Sequence, residues 1–286
     1  MTQATSFTPV VICADDYALT PGVCAGIIEL AELGRISATS AMTLSPHWPT
    51  WARHVSGLQT RIDVGLHLDW TSAFAQQQGF GASLGQVMLH SLLRTLSPVT
   101  VRTQIEHQLD LFEQHAGTAP DHVDGHQHVQ QFPVIRDALV DALIRRYPAA
   151  HRPWLRVSRV LGDVWDIKTK IINTMGAQAL LSLAQAQGLA HSQHLTGVYD
   201  FSDDATAYRH RLQHWLTHLP AGAVLMCHPG TDSDPGAPYA QARPQEQQVL
   251  REPALQELLN TQQIRIVRGT ALFSPRSIQP ATQHEH

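Results

Sequence analysis

Four short polar motifs hold the residues best able to do chemistry: Asp15-Asp16, His67 in Gly65-Leu66-His67-Leu68, His126-Gln127-His128, and His228 ahead of Pro229-Gly230. Two imidazoles and a carboxylate form a common open ligand set for zinc or another transition metal, with the remaining positions left to water and substrate. An ion held this way lowers the pKa of a water toward ~7 and polarises a carbonyl oxygen. A second carboxylate can take the proton from that water, and an acid on the far side can protonate a leaving amine. Asp15, Asp16, His67, His126 and His228 supply each of these parts, those of a metal-dependent hydrolase. Adjacent strand residues point to opposite faces, so Asp15 and Asp16 share a site only if the chain turns between them. His126 and His128 share a face if their segment is extended, so spacing alone leaves either one as the ligand.

Each motif also has a plain structural explanation. An Asp-Asp pair is as often a turn or a helix N-cap as a site. His67, between Leu66 and Leu68, reads by itself as a packed core histidine, a bare His-x-His is a moderate metal signal, and His228-Pro229-Gly230 fits a strand-ending turn. Placement along the chain changes the balance. Segment 9–14, Pro-Val-Val-Ile-Cys-Ala, predicts a buried strand that ends at Asp15-Asp16. Thr20-Pro21 supplies an N-cap and a first-turn proline, Val23, Ile27 and Leu30 repeat at helical spacing, and Gly34 closes the helix. Further strands are predicted over 39–44, 62–68, 121–125, 154–157, 223–227 and 264–267, with helices opening at Pro98 and Pro133 and spanning 208–219. About seven strands alternating with helices predict a (β/α) barrel or an open parallel sheet. Both put the ligand site at the carboxyl ends of the strands, where all four motifs fall.

The 286 residues are 43% hydrophobic and 15% charged, with a net charge of −4. That composition supports one large α/β domain or two smaller ones and excludes a disordered or coiled-coil chain. Without a Lys/Arg block, nucleic acid and anionic membrane are poor partners. No long apolar run or basic leader is present, and the three cysteines, Cys13, Cys24 and Cys227, form no Cys-x-x-Cys pair. A cytoplasmic protein with reduced thiols and no integral membrane segment is therefore expected, with Cys13 and Cys227 packed in the core. Residues 72–96 are irregular in period and read as a lid or a helical insertion, 160–190 as a helical stretch, and 276–286 as a disordered tail.

The ordered set Ala14-Asp15-Asp16-Tyr17, Gly65-Leu66-His67-Leu68, Val123-Asp124-Gly125-His126-Gln127-His128 and Cys227-His228-Pro229-Gly230 resembles the YdjC family of carbohydrate deacetylases. That family includes chitooligosaccharide deacetylases and hopanoid-associated deacetylase-like proteins. The likeness runs from about residue 9 to 270. It implies a single-domain α/β fold over residues 1–275, a deformed (β/α) barrel of the polysaccharide-deacetylase type. It also implies one divalent metal ion, zinc or magnesium, on Asp16, His67 and His126, with Asp15 as base, His228 as acid, and a homodimer. His128 is the substitute ligand if the register differs by two residues. Tyr17, His128 and Arg156 border the expected pocket as substrate-binding candidates, and Arg156 is equally suited to orienting a carboxylate. The family often has Phe-Gly where this chain has Tyr17-Ala18, and a histidine where it has Gln130.

The implied reaction removes an N-acetyl group from an N-acetylglucosamine-containing oligosaccharide or glycoconjugate and releases acetate. Its rivals are another single-metal amidohydrolase or phosphoesterase on the same barrel, and an inactive sugar- or metal-binding homologue. Barrel phosphoesterases and cyclic amidohydrolases more often carry a two-metal set with a bridging carboxylate or lysine, for which the sequence shows no matching cluster, and a binding protein needs neither Asp15 nor His228.

Overall fold

The computed structural model describes residues 7–161, 167–231, 236 and 238–273. Its strands are β1 (Thr8–Tyr17), β2 (Ala38–Ala41), β3 (Asp63–Leu68), β4 (His122–Gly125), β5 (Trp154–Leu155), β6 (His194–Thr196), β7 (Ala223–Cys227) and β8 (Ile264–Ile266). All pair in parallel in the order β5-β4-β3-β2-β1-β7-β6, and β8 joins the start of β1. Parallel bridges between Leu155 and His191 and between Val160 and Leu195 carry the chain after β5 to the β6 edge. The sheet thereby closes into the deformed single-domain barrel that the motifs implied. Helices cover the outer face of such a barrel and side chains fill its inside, so β3 and β7 are buried along their whole length; β7 is an apolar run, whereas β3 carries Asp63 and His67 as well.

Helix starts follow their sequence signals. The Thr20 hydroxyl accepts the Val23 N–H at 3.2 Å ahead of helix Pro21–Glu32, and Gly34 follows that helix with φ +67°. Ser97 caps helix Pro98–Ala116, which Gly117 ends in the left-handed region at φ +72°. Segment 72–96 is a helical insertion with helices Ala73–Gln77 and Leu84–Leu92. The stretch 160–190 contains helices Ile167–Ile172 and Gln178–Ala186 on either side of a π-turn. Its residues 162–166 and the tail 276–286 lie outside the described residues. Strand β6 was not anticipated, because His194-Leu195-Thr196 is short and offers no apolar run. Among the described residues no helix is long and apolar enough to cross a membrane.

The interior below the site is tightly filled. A Cβ at Gly65 on β3 would lie 2.4 Å from the His122 ring, which stacks on Trp154 with ring centroids 4.5 Å apart. Trp154 is itself held by Asp63, which accepts its indole N–H at 3.0 Å and also binds Arg268 and Thr270. The ring therefore has no room to retreat. Gly65→Ala is expected to cost ~1–3 kcal/mol, the usual range for overpacking a core, measured by denaturant unfolding. An unchanged midpoint would mean that the His122 ring can move.

Candidate active site

The end of β1 shows how two adjacent aspartates reach one place. The pairing of β1 with β2 shifts register between Ala14 and Tyr17, a bulge, and Asp16 adopts φ +70°. The turn that the sequence required is thus present, and both carboxylates are buried. Asp15 Oδ1 and Oδ2 accept a fork of two hydrogen bonds from Arg156, at 2.6 and 2.7 Å. Asp16 Oδ2 accepts from Arg243 Nη2 at 2.5 Å, whereas Asp16 Oδ1 is buried without a hydrogen bond.

Two imidazoles face that orphaned oxygen. His67 Nε2 lies 3.5 Å from Asp16 Oδ1 and His126 Nδ1 lies 3.4 Å from it. Donor atoms of Asp16, His67 and His126 all fall within 4.8 Å of one another. His67 is aimed by its other nitrogen, since Nδ1 meets Asp124 Oδ1 at 2.6 Å. A metal-ligating histidine is held in this way by a carboxylate behind it. His128 takes no part in the cluster. Strand β4 ends at Gly125, and Gln127 and His128 turn with φ of +53° and +63°, which removes the extended geometry that would put both histidines on one face. His128 Nδ1 instead meets the Ser158 hydroxyl at 3.0 Å, and its ring lines the cavity.

Two other groupings of possible ligands are closed off. Asp124 Oδ2 accepts from Ser40 at 2.5 Å and lies 3.1 Å from Arg156 Nη1, and the Asp15 carboxylate is occupied by the same guanidinium. A fixed cation therefore already stands where an ion bridging Asp15 or Asp124 would bind. The charge balance favours the Asp16 cluster as well. Three buried carboxylates, Asp15, Asp16 and Asp124, face two buried guanidiniums, Arg156 and Arg243. An uncompensated buried charge is costly, so one further positive charge is called for. Burial opposes a proton on His67, but Asp124, Asp15 and Asp16 outweigh it and raise its pKa to about 9. In the metal-free chain that proton supplies the missing charge.

Both aspartates are ionised. Burial works against this, but Arg156 and His67 hold the Asp15 carboxyl below its ordinary range, and Arg243 and His126 hold that of Asp16 well below. His228, at the end of β7, places Nε2 4.0 Å from Asp15 Oδ2. Its ring meets Phe201 and Tyr239 edge-on, each with centroids 5.0 Å away. A carboxylate that raises its pKa would suit an acid for the leaving amine. The opposite holds: burial lowers it to about 4, although Asp16 and Asp15 pull upward. Asp232, the carboxylate nearest in sequence, lies outside the described residues.

Tyr17 does not border the pocket. Its ring is buried and its hydroxyl donates to the Trp51 carbonyl at 3.0 Å. Arg156 is fully buried and orients carboxylates, the alternative to contact with substrate. Gln130 is structural too, donating to the Arg156 carbonyl and the Ser158 hydroxyl at 3.0 Å each. Three contributors were missed in the sequence. Asp124 was within a quoted motif but had no role assigned. Arg243 and Glu246 come from helix Ala242–Arg251, whose polar sequence resembles a solvated surface helix. Glu246 accepts the His228 N–H at 2.6 Å and the Tyr199 hydroxyl at 2.6 Å, fixing the end of β7. No local pattern marks either residue, since each acts on a partner more than fifteen positions away.

These groups open into a cavity of about 400 Å³ lined by Asp15, His67, His126 and His228. The YdjC-like protein family matches residues 9–261. The chain belongs to that family. This YdjC-like chain is 27% identical over 260 residues to a mouse protein named carbohydrate deacetylase, covering 79% of each chain. A Brevibacillus brevis protein of the same name is 24% identical over 278 residues, covering 92% of this chain and 98% of its own. A solved Enterococcus faecalis protein named for cellobiose-phosphate cleavage superposes with a TM-score of 0.70 at 20% identity, over 94% of this chain and all of the other. A peptidoglycan N-acetylglucosamine deacetylase gives a TM-score of 0.53 at 13% identity, over 94% of this chain and 90% of its own, a likeness of fold.

Proposed function

We propose that this YdjC-like chain is a metal-dependent hydrolase that removes the N-acetyl group from an N-acetylglucosamine-containing saccharide or glycoconjugate. The observation that carries the proposal is the orphaned Asp16 Oδ1 facing His67 Nε2 and His126 Nδ1, with Asp15 and His228 beside it in one cavity. The donors fit one divalent ion, with Asp16, His67 and His126 as its protein ligands. Such an ion supplies Lewis acidity, which makes a water more acidic and a carbonyl more electrophilic. Asp15, ionised and clamped by Arg156, is placed to take the proton of the attacking water. His228 enters the cycle neutral, and its Nε2, 4.0 Å from Asp15 Oδ2, is placed to pass the acquired proton to the departing nitrogen. Phe201 and Tyr239, with centroids 4.0 Å apart, give the sugar an apolar platform beside His228. Acetate release from N-acetylated sugars, with no release of phosphate from sugar phosphates, is the expected outcome of a substrate screen. The reverse pattern would favour a phosphoesterase.

The role of His228 can be separated from simple positioning. An amine is a poor leaving group unless protonated, whereas the alkoxide of an activated acetate ester leaves with little help. His228→Ala is expected to lower turnover of the acetamide by about 100-fold or more, and that of the ester much less. Equal losses on both substrates would show that His228 positions the substrate.

Metal uptake should depend on pH in a set direction. His67 is protonated below about pH 9 in the metal-free chain, and a ligand imidazole must be neutral. Binding therefore expels one proton, and affinity should rise about tenfold per pH unit between about pH 6 and 8. Calorimetry in buffers of different ionisation enthalpy counts that proton. An affinity flat with pH would remove His67 from the ligand set.

A further inference from the structure

A site for sugar hydroxyls is expected to offer hydrogen-bonding side chains, because hydroxyls buried without partners are costly. Beyond the catalytic groups this cavity offers few of them. Its wall includes Leu84, Met88, Ile171, Ile172, Val198 and Met226, and Gln127 is its sole carboxamide among the described residues. The apolar side chains divide between the two sides of the site. Strand order places β3 and β4, with His67 and His126, on one side of β1, and β7 and β6, with His228, on the other. Leu84 and Met88 belong to the insertion that directly follows β3, whereas Phe201 and Tyr239 pack on His228.

The chemistry then assigns an occupant to the Leu84–Met88 side. Hydrolysis breaks the amide C–N bond, forms a C–O bond from water, and delivers a proton to nitrogen. The nitrogen and its sugar must therefore face His228 and the aromatic pair. The acyl substituent points away from both the nitrogen and the carbonyl oxygen, and the cavity wall on the side away from His228 includes Leu84 and Met88 of the insertion after β3. An acetyl methyl alone needs little of that wall. From this placement we infer that the site accepts N-acyl groups longer than acetyl, with the chain lying against Leu84, Met88, Ile171 and Ile172. The chain would act as an N-deacylase for short straight-chain acyl groups, of which acetyl is the smallest. This inference rests on the amidohydrolase reading above.

The test compares N-acetyl-, N-butyryl- and N-hexanoylglucosamine as substrates of the full-length, metal-loaded protein, with glucosamine release as the readout. Each methylene that becomes buried is worth about fourfold in kcat/KM. N-butyrylglucosamine, two methylenes longer, is expected to exceed the acetyl compound by about 16-fold, with the gain in KM, since acyl packing is the same in ground and transition states. Within one protein, the butyryl-to-acetyl ratio cancels any general damage to catalysis. Met88→Trp, which fills the wall, and Met88→Gln, which keeps its length but makes it polar, should both bring that ratio toward one. Hydrolysis of the acetyl compound without hydrolysis of the butyryl would overturn the inference and leave the deacetylase reading standing. A butyryl advantage unchanged in both Met88 variants would also overturn it. Release of glucosamine from none of the three, together with no acetate from an N-acetylglucosamine oligosaccharide, would remove the amidohydrolase reading itself.

Discussion

His67→Ala is expected to lose stoichiometric metal and all measurable turnover while keeping a folded barrel. His67 is buried, and its two nitrogens have separate tasks: Nδ1 is engaged by Asp124, and Nε2 is left to face Asp16 Oδ1. Removing the ring deletes one of three protein ligands and leaves the hole unfilled. The fold should survive with a lower unfolding midpoint: the variant loses the positive charge that balances Asp16 and Asp124, but Asp124 keeps its bonds to Ser40 and Arg156 and Asp16 keeps Arg243. Metal content of the purified variant and its thermal unfolding together check the prediction. A folded His67→Ala protein that still holds one ion would refute this ligand assignment.

Asp15→Asn is expected to keep metal and substrate binding but turn over at least ~100-fold more slowly, the usual scale for loss of a general base. The amide is the same size as the carboxylate, yet it cannot accept a proton at neutral pH. It also presents an N–H group to the Arg156 fork, which demands two acceptors. The loss should fall on kcat, because the interaction removed belongs to the transition state. Near-normal turnover would mean that the water needs no carboxylate partner here.

Much of this site was legible because its parts lie at strand ends, where short motifs interrupt apolar runs. Asp15-Asp16 and His228 could be named because each follows an apolar run that predicts a buried strand, His67 because it lies in the 62–68 strand segment, and His126 because His-x-His follows the short segment 121–125. Their convergence follows from the parallel barrel, whose strand ends share one face. Other features needed coordinates. The choice between His126 and His128 turned on the left-handed backbone at Gln127 and His128, and no residue type there signals it. Arg243 and Glu246 act from a helix whose burial comes from packing against the helices Pro21–Glu32 and Ala205–His218, so their polar types looked like a solvent face. Tyr17 looked like pocket because it follows Asp16, yet the chain resumes its strand there and turns the ring inward to Trp51. The direction of the His228 pKa is equally hidden from the sequence. A carboxylate at 4.0 Å was foreseeable in kind, but the depth of burial that outweighs it was not.

The most direct test is to strip the protein of metal, return a single divalent ion in measured steps, and follow acetate released from an N-acetylglucosamine oligosaccharide. A single-metal deacetylase predicts no acetate from the stripped protein and activity that rises linearly to a plateau at about one equivalent. Full activity in the stripped protein, or a plateau only at about two equivalents, would contradict the single ion on Asp16, His67 and His126.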